Sequence, residues 1–224
     1  GESGDFEKAN FPIGVEGGKT STCPTQNLME AYDMKDGTPF VWNNQSNPYD
    51  NRDPRMKYTI VCNEMKWPVD PVEIWEGGTN GLPLQNATTT GYYLKKYVNN
   101  TISFEAGSTV TKKQHNWVLF RYGEILLNYA EAMINAFHDP NYKDAVYNMS
   151  AREAVNQIRG RTNISLPGFP SDITEKDFVK RLKNERRVEL AFEGHRFWDV
   201  RRWKELGQTA NIYGVKITKN NEVI

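Results

Sequence analysis

Arg181-Leu-Lys-Asn-Glu-Arg-Arg-Val-Glu-Leu-Ala-Phe-Glu-Gly-His-Arg-Phe-Trp-Asp-Val-Arg-Arg-Trp203 mixes ionic and bulky apolar groups in a way a solvated helix does not. Read as a helix, Leu182, Glu185, Glu189 and Phe192 share one stripe by steps of three and four residues, with Arg186 and Leu190 beside it. The charges therefore occupy the face that packs. Carboxylates and guanidiniums are seldom buried unpaired, so Glu185, Arg186 and Glu189 are expected to meet ionic partners across a helix interface, with Arg201 or Arg202 as candidates. That makes them structural groups and weakens any catalytic role. Thr174 with Asp177 is an N-cap signal for this helix, and Gly194 can end it in a left-handed turn. Phe197, Trp198, Val200 and Trp203 then suggest a short further helix.

Moving upstream, the chain changes character near Gln114. From Trp117 to Phe137 a narrow polar stripe of Arg121, Glu124, Asn128, Glu131 and Asn135 runs through an otherwise apolar helix, which is expected to be covered on several sides and to end at Asp139-Pro140. Trp117, Trp198 and Trp203 lie in helical stripes and are expected in the core. A second helix, from about Tyr147 to Arg161, carries Ala151, Ala154, Val155 and Ile158 on one face and should pack antiparallel on the first. Small residues at the contact, Ala130, Ala132, Ala151 and Ala154, give the pair the look of a tetratricopeptide unit, although one pair does not establish a repeat. Before Gln114, glycine, proline, asparagine and threonine are frequent, and runs such as Tyr58 to Cys62 and Tyr92 to Val98 read as short strands between long loops. The expected fold is mainly α with irregular, loop-rich and short β segments. Residues 1–113 form the loop-rich, ligand-facing part and residues 114–224 the helical part of one domain.

The run Asn184 to Trp203 resembles one that recurs in the SusD/RagB nutrient-binding lipoproteins of bacterial outer membranes. Four further stretches are similar to the same family in the same order: Pro24 to Gly37, Asn47 to Arg55, Gly91 to Tyr97, and Arg121 to Ala132 followed by Ala154 to Arg159. The resemblance implies a SusD-like fold and a non-catalytic role: capture of oligosaccharide or polysaccharide at the cell surface and delivery to a SusC-like TonB-dependent transporter. It also implies that this is the C-terminal portion of a chain roughly twice as long or more. Such a chain is held to the outer membrane by a lipid-modified N-terminal cysteine and begins with tetratricopeptide-like helix pairs. Some members are thought to take peptides, which keeps a peptide ligand as an alternative.

Composition narrows the rest. Lys plus Arg equals Asp plus Glu at 28 each, so no global field favours nucleic acid or an anionic membrane. The basic residues from Lys176 to Lys204 are interleaved with Asp177, Glu185, Glu189, Glu193 and Asp199, which reads as a salt-bridged helical face. Cys23 and Cys62 are the only cysteines and lack C-x-x-C spacing; whether they pair is left open. No run approaches the ~18 apolar residues of a membrane helix, so the chain itself is expected to be soluble.

Motifs that look chemical mostly fail on spacing. Gly14-Val-Glu-Gly-Gly-Lys-Thr20 has Ile13 where a phosphate-binding loop needs glycine. His115, His138 and His195 have no second ligand at metal spacing, and His195 beside Gly194 is better read as capping or packing. Asn47 to Asp53 is rich in oxygen ligands but puts Arg52 where a calcium loop wants an acceptor. No cofactor and no catalytic or metal residue is assigned. Glu64, Asp70, Glu73 and Glu76 cluster in sequence near Trp67 and Trp75 and keep a glycoside hydrolase as the alternative from another class. A structural or transporter-docking piece without its own ligand site is the third.

The stronger hint is aromatic content in the loops: Trp42, Tyr49, Trp67 and Trp75 among asparagines, aspartates and glutamines. Aromatic faces stack on the C–H faces of sugars while amides and carboxylates take the hydroxyls. Any one of these tryptophans is more often core. Trp67, Trp75 and Asn80, in the most turn-rich segment, are the ligand-binding candidates.

Overall fold

The computed structural model describes residues 2–42 and 47–219. Among them are seven α-helices and two small ladders: β1 (Glu2–Ser3), α1 (Asp5–Asn10), α2 (Gln26–Ala31), α3 (Pro54–Thr59), β2 (Ile60–Val61), β3 (Tyr93–Leu94), β4 (Lys113–Gln114), α4 (Tyr122–Phe137), α5 (Ala151–Arg159), α6 (Glu175–Glu189) and α7 (Arg196–Arg202). The mainly helical, loop-rich architecture read from the sequence is therefore the one observed. Both ladders are antiparallel and two residues long, Glu2 opposite Gln114 and Ile60 opposite Leu94. Pro54 at the first helical position and the Asp53 cap turn Tyr58–Thr59 into the end of α3, so the strand expected from Tyr58 is shortened.

The helical part packs as periodicity dictates. Leu126, Leu127, Ala130, Met133 and Ile134 of α4 meet Ala151, Ala154, Val155 and Ile158 of α5, and Phe178 and Leu182 of α6 close the same core. Ala130, Ala151 and Ala154 are wholly buried, which lets the backbones approach, whereas Ala132 faces outward and is not part of the contact. α5 begins at Ala151 instead of Tyr147. Asp144 accepts from the amides of Val146 and Tyr147 and holds them in a turn, and Ser150 with Glu153 forms a reciprocal capping box. α6 starts as expected, with Thr174 accepting from the Asp177 amide at 3.2 Å. It ends at Glu189, before the turn in which Phe192 and Gly194 both take positive φ.

Two expectations about the tryptophans are overturned. Trp117 is 69% exposed and Trp198 66%. Trp117 precedes α4, because Arg121 is extended and its guanidinium is held by Glu189 and Glu193; the residue stacks on Tyr97 with ring centroids 6.1 Å apart. Helix α7 turns Asp199 and Val200 inward, so Phe197 and Trp198 are left outside. An ion pair fixes that choice of face, since Asp199 takes Arg186 Nε through both oxygens, at 3.0 and 2.8 Å. Trp203 is half-buried, its Nε1 donating to Glu131 Oε1 at 2.8 Å.

Glu185, Arg186 and Glu189 are buried and paired, with partners other than Arg201 and Arg202. Glu185 accepts from Arg55 and Arg159, Glu189 from Arg55, Arg121 and Arg161. Arg202 pairs with Glu131 and Asp199, while Arg201 folds back on Phe197. The polar stripe of α4 thus faces α6 and α7: Arg121 meets Glu189, Asn128 accepts from Arg186 at 2.7 Å, and Glu131 meets Arg202. Tyr122 and Ile125 are left exposed on the apolar remainder. Burial alone would raise Glu185, but Arg55 and Arg159 outweigh it and hold it below the usual carboxylate range. Glu189 is depressed to about 2, burial being outweighed chiefly by Arg55 and Arg121.

Two further cores join the loop-rich residues to the C-terminal part. Met29, Tyr32, Met56, Ile60, Cys62 and Tyr92 gather around Val188 of α6, and Phe11, Val61, Val72, Tyr93, Leu94 and Ile102 form the other. Arg52 pins the end of α2 by donating to the carbonyls of Met29 and Tyr32, each at 2.7 Å, with its guanidinium 3.7 Å from the centre of the Phe40 ring. Cys23 and Cys62 are free thiols, and burial pushes Cys62 up to about 12.

Candidate ligand-binding surface

Residues 64–72 fold back on themselves: the Glu64 amide donates to Val72 O, Val72 to Met65 O and Trp67 to Asp70 O, at 2.8–3.0 Å. This tight return presses the Trp67 ring into the core, leaving it 5% exposed, with Lys95 Nζ 5.0 Å from its centre. The next turn is fastened by Asn80. Its Oδ1 accepts from the Glu73 amide at 2.8 Å, its Nδ2 donates to Ile13 O at 2.6 Å, and its carbonyl accepts from the Tyr93 hydroxyl. Gly81 approaches Trp75 O so closely that a Cβ would lie 2.2 Å from it, which is why the turn needs glycine there. Trp75 is half-buried, with Lys219 Nζ 4.4 Å from the centre of its ring.

A cavity of about 630 Å³ opens between these turns and residues 100–105. Trp67 and Asn80 both belong to its wall, with Pro68, Thr79, Ile102 and Phe104; Trp75 does not. Two of the three sequence candidates therefore meet at one concave site. Asn80 spends most of its polar capacity on the fold through the bonds above, while Trp67 Nε1 is buried without a partner among the described residues. Groups reaching the opening are Asp70, Asn100 and Glu105, exposed and without side-chain hydrogen bonds among the described residues. Asn100 and Glu105 escaped the sequence reading. They lie 25 or more residues from Trp67 and Trp75, and no local pattern ties them to those rings.

Of the four loop carboxylates only Asp70 lines this cavity. Glu73 Oε2 accepts from the Thr79 hydroxyl at 3.2 Å and Glu76 is paired with Lys216 at 2.8 Å. Asp53, in the oxygen-rich stretch, is taken by Arg55. His195 heads α7 with its Nε2 3.6 Å from Glu124. No helix among the described residues is long and apolar enough to cross a membrane.

With fold and cavity in place, the comparisons agree on one lineage. The SusD family model matches residues 4–222, so the chain belongs to the SusD family. Among solved structures, a SusD-like protein from Bacteroides fragilis superposes with TM-score 0.76 at 26% identity, covering 98% of this chain and 45% of that one. A SusD-like carbohydrate binding protein from the same species gives TM-score 0.75 at 26% identity, covering 93% and 41%. Among curated proteins, SusD-like protein P38 from Formosa agariphila is 37% identical over 91 residues, 38% of this chain and 16% of that protein. The chain spans less than half the length of these relatives.

Proposed function

We propose that this chain is the glycan-facing portion of a non-catalytic uptake protein that captures oligosaccharide or polysaccharide at the outer-membrane surface and passes it to a SusC-like TonB-dependent transporter. The family match over residues 4–222 carries the reading, and the carbohydrate binding protein from Bacteroides fragilis, which shares the fold, supports the ligand class. Attachment to the membrane is through a lipid anchor on the N-terminal cysteine of the longer protein. The cavity beside Trp67 and Asn80 is the binding site in this reading: Phe104 and Pro68 offer apolar walls, while Asp70, Asn100 and Glu105 offer acceptors and an amide for hydroxyls. Trp75, close by in sequence, supplies a partly exposed ring.

Affinity electrophoresis and calorimetry against a panel of neutral and acidic polysaccharides test this, with reducing-sugar release followed in the same samples. Retardation by a glycan, weakened in Asn100→Ala or Trp75→Ala and without sugar release, is expected. Release that is lost in Glu73→Gln would replace the capture reading with hydrolysis.

A further inference from the structure

Helix α6 carries a second ionic face that the fold uses only in part. Lys176, Lys180, Lys183 and Arg187 follow one another at steps of four, three and four. They border a cavity of about 460 Å³ between α6, the end of α2, Pro39–Phe40 and the Arg196–Gln208 region. These cations differ in their partners. Lys183 is bonded to Glu205 at 2.6 Å, and Arg181 to Gly37 O at 2.8 Å and Asp33 at 3.4 Å. Arg196 reaches only Gln208 Oε1, at 2.8 Å, and Gln208 in turn donates to Glu205. Arg187 has no hydrogen bond or ion pair from its side chain among the described residues, though it is only partly exposed. The other acids in the wall are engaged, Glu30 with Gln26 at 2.9 Å and Asp33 with Arg159 at 3.1 Å.

Arg187 and Arg196 also both line a smaller, mostly apolar cavity of about 330 Å³ with Leu28, Ala191 and Phe197, so the pair sits where the two hollows meet. Burial first, and the neighbouring Arg196 second, push Arg187 down to about 10, which leaves it protonated at neutral pH. Glu30 acts on Arg187 and Glu205 on Arg196 only through space, and no carboxylate among the described residues bridges the two guanidiniums, whose forked donors match a carboxylate or a sulfate. Phe40, Pro39 and Val179 supply apolar wall on which a sugar face can lie, and Lys176 and Lys180, exposed at the rim, draw anions in.

We propose that this groove binds an acidic sugar unit, its carboxylate or sulfate ester held between Arg187 and Arg196. The proposal rests on the glycan-capture reading and specifies the chemistry of the glycan. An acidic peptide is disfavoured, because the pair would take one anion and the adjoining wall of Pro39, Phe40 and Val179 is apolar.

The test is calorimetry on the full chain with four probes of similar length: a glucuronate-containing oligosaccharide, a sulfated galactan oligosaccharide, a neutral oligosaccharide and a hexaglutamate peptide. One or both acidic sugars are expected to bind at least tenfold more tightly than the neutral one, and whichever does names the anion. Arg187→Gln and Arg196→Gln should each remove about tenfold of acidic-sugar affinity and leave neutral binding and melting temperature unchanged; Arg187→Lys should lose less. Equal affinity for acidic and neutral sugars, or no response to Arg187→Gln, overturns the proposal while leaving glycan capture intact. Tightest binding by the peptide overturns the sugar assignment. Failure of every sugar, neutral included, defeats both readings.

Discussion

Arg55 Nη1 lies 2.5 Å from Glu185 Oε1, joining residues 130 positions apart in a site where both side chains are buried. The same nitrogen reaches Glu189 at 2.8 Å, and Arg55 also holds Asp53, so one guanidinium ties α3 and its cap to α6. Removing one partner from such a cluster leaves an uncompensated charge. Arg55→Ala should therefore cost about 3–5 kcal/mol in urea unfolding. Combining it with Glu185→Gln should cost less than the two separate losses, by about 1–3 kcal/mol. Additive costs would mean that the pair does not act as a unit.

Acid should unfold the protein through this cluster. Glu189 is depressed in the folded state to about 2 from an ordinary 4.5, so its contribution is fully present above pH ~4.5 and is lost as the pH falls toward 2. That contribution is on the order of 3 kcal/mol. Glu185, lowered by Arg55 and Arg159, adds loss in the same direction. Asp33 runs the other way: burial raises it, with Arg159 opposing, so protonation on acidification favours the folded state there. Urea midpoints measured from pH 7 to pH 2.5 should fall steeply below pH 4.5, and Glu189→Gln should flatten the curve.

Ser150 and Glu153 cap α5 reciprocally, Ser150 Oγ accepting from the Glu153 amide at 3.2 Å and Glu153 accepting from the Ser150 amide at 2.8 Å. Ser150→Ala should lower stability by about 1 kcal/mol, and Ser150→Asp should keep most of it, read from thermal melts.

Gly91 and Gly194 share a φ of +81° but not their surroundings. A Cβ at Gly91 would lie 2.6 Å from Val215 O, whereas at Gly194 nothing lies within 4 Å. Gly194→Ala should cost only the left-handed strain, about 1–2 kcal/mol, and Gly91→Ala more. Equal melting shifts would refute the steric account.

The two loop tryptophans should behave differently. Trp67 is packed among core residues, so Trp67→Ala should lose about 3–5 kcal/mol of stability and is unfit as a binding probe. Trp75 keeps part of its ring in solvent. Trp75→Ala should hold its melting temperature within a few degrees and, where the glycan extends beyond the cavity onto this ring, weaken binding about fivefold, the loss of one stacking contact of about 1 kcal/mol.

Helix existence was legible because it rests on local repeats: α4, α5 and α6 follow the three-and-four spacing of their apolar residues, and Thr174 marks the start of α6 in the sequence. Helix beginnings were less legible at α4, where the true N-terminus is set by Arg121 reaching carboxylates some 70 residues away. At the proposed sugar cavity, aromatic and amide content named Trp67 and Asn80. It could not show that Asn100 faces the same hollow, or that Asn80 spends its amide on Ile13 and Glu73.

By itself, the sequence determined the family, the helical pair, and the burial of Glu185, Arg186 and Glu189, because periodicity places residues on faces and buried charge requires a counter-charge. Only the tertiary structure decided which counter-charges. Glu185 took Arg55 and Arg159 in place of Arg201 and Arg202, and Arg186 took Asp199, which turned Asp199 inward and left Trp198 outside. It also left Arg187, beside Arg196, without an ion pair among the described residues. Pairing depends on distances between elements far apart in the chain, and no local pattern encodes them.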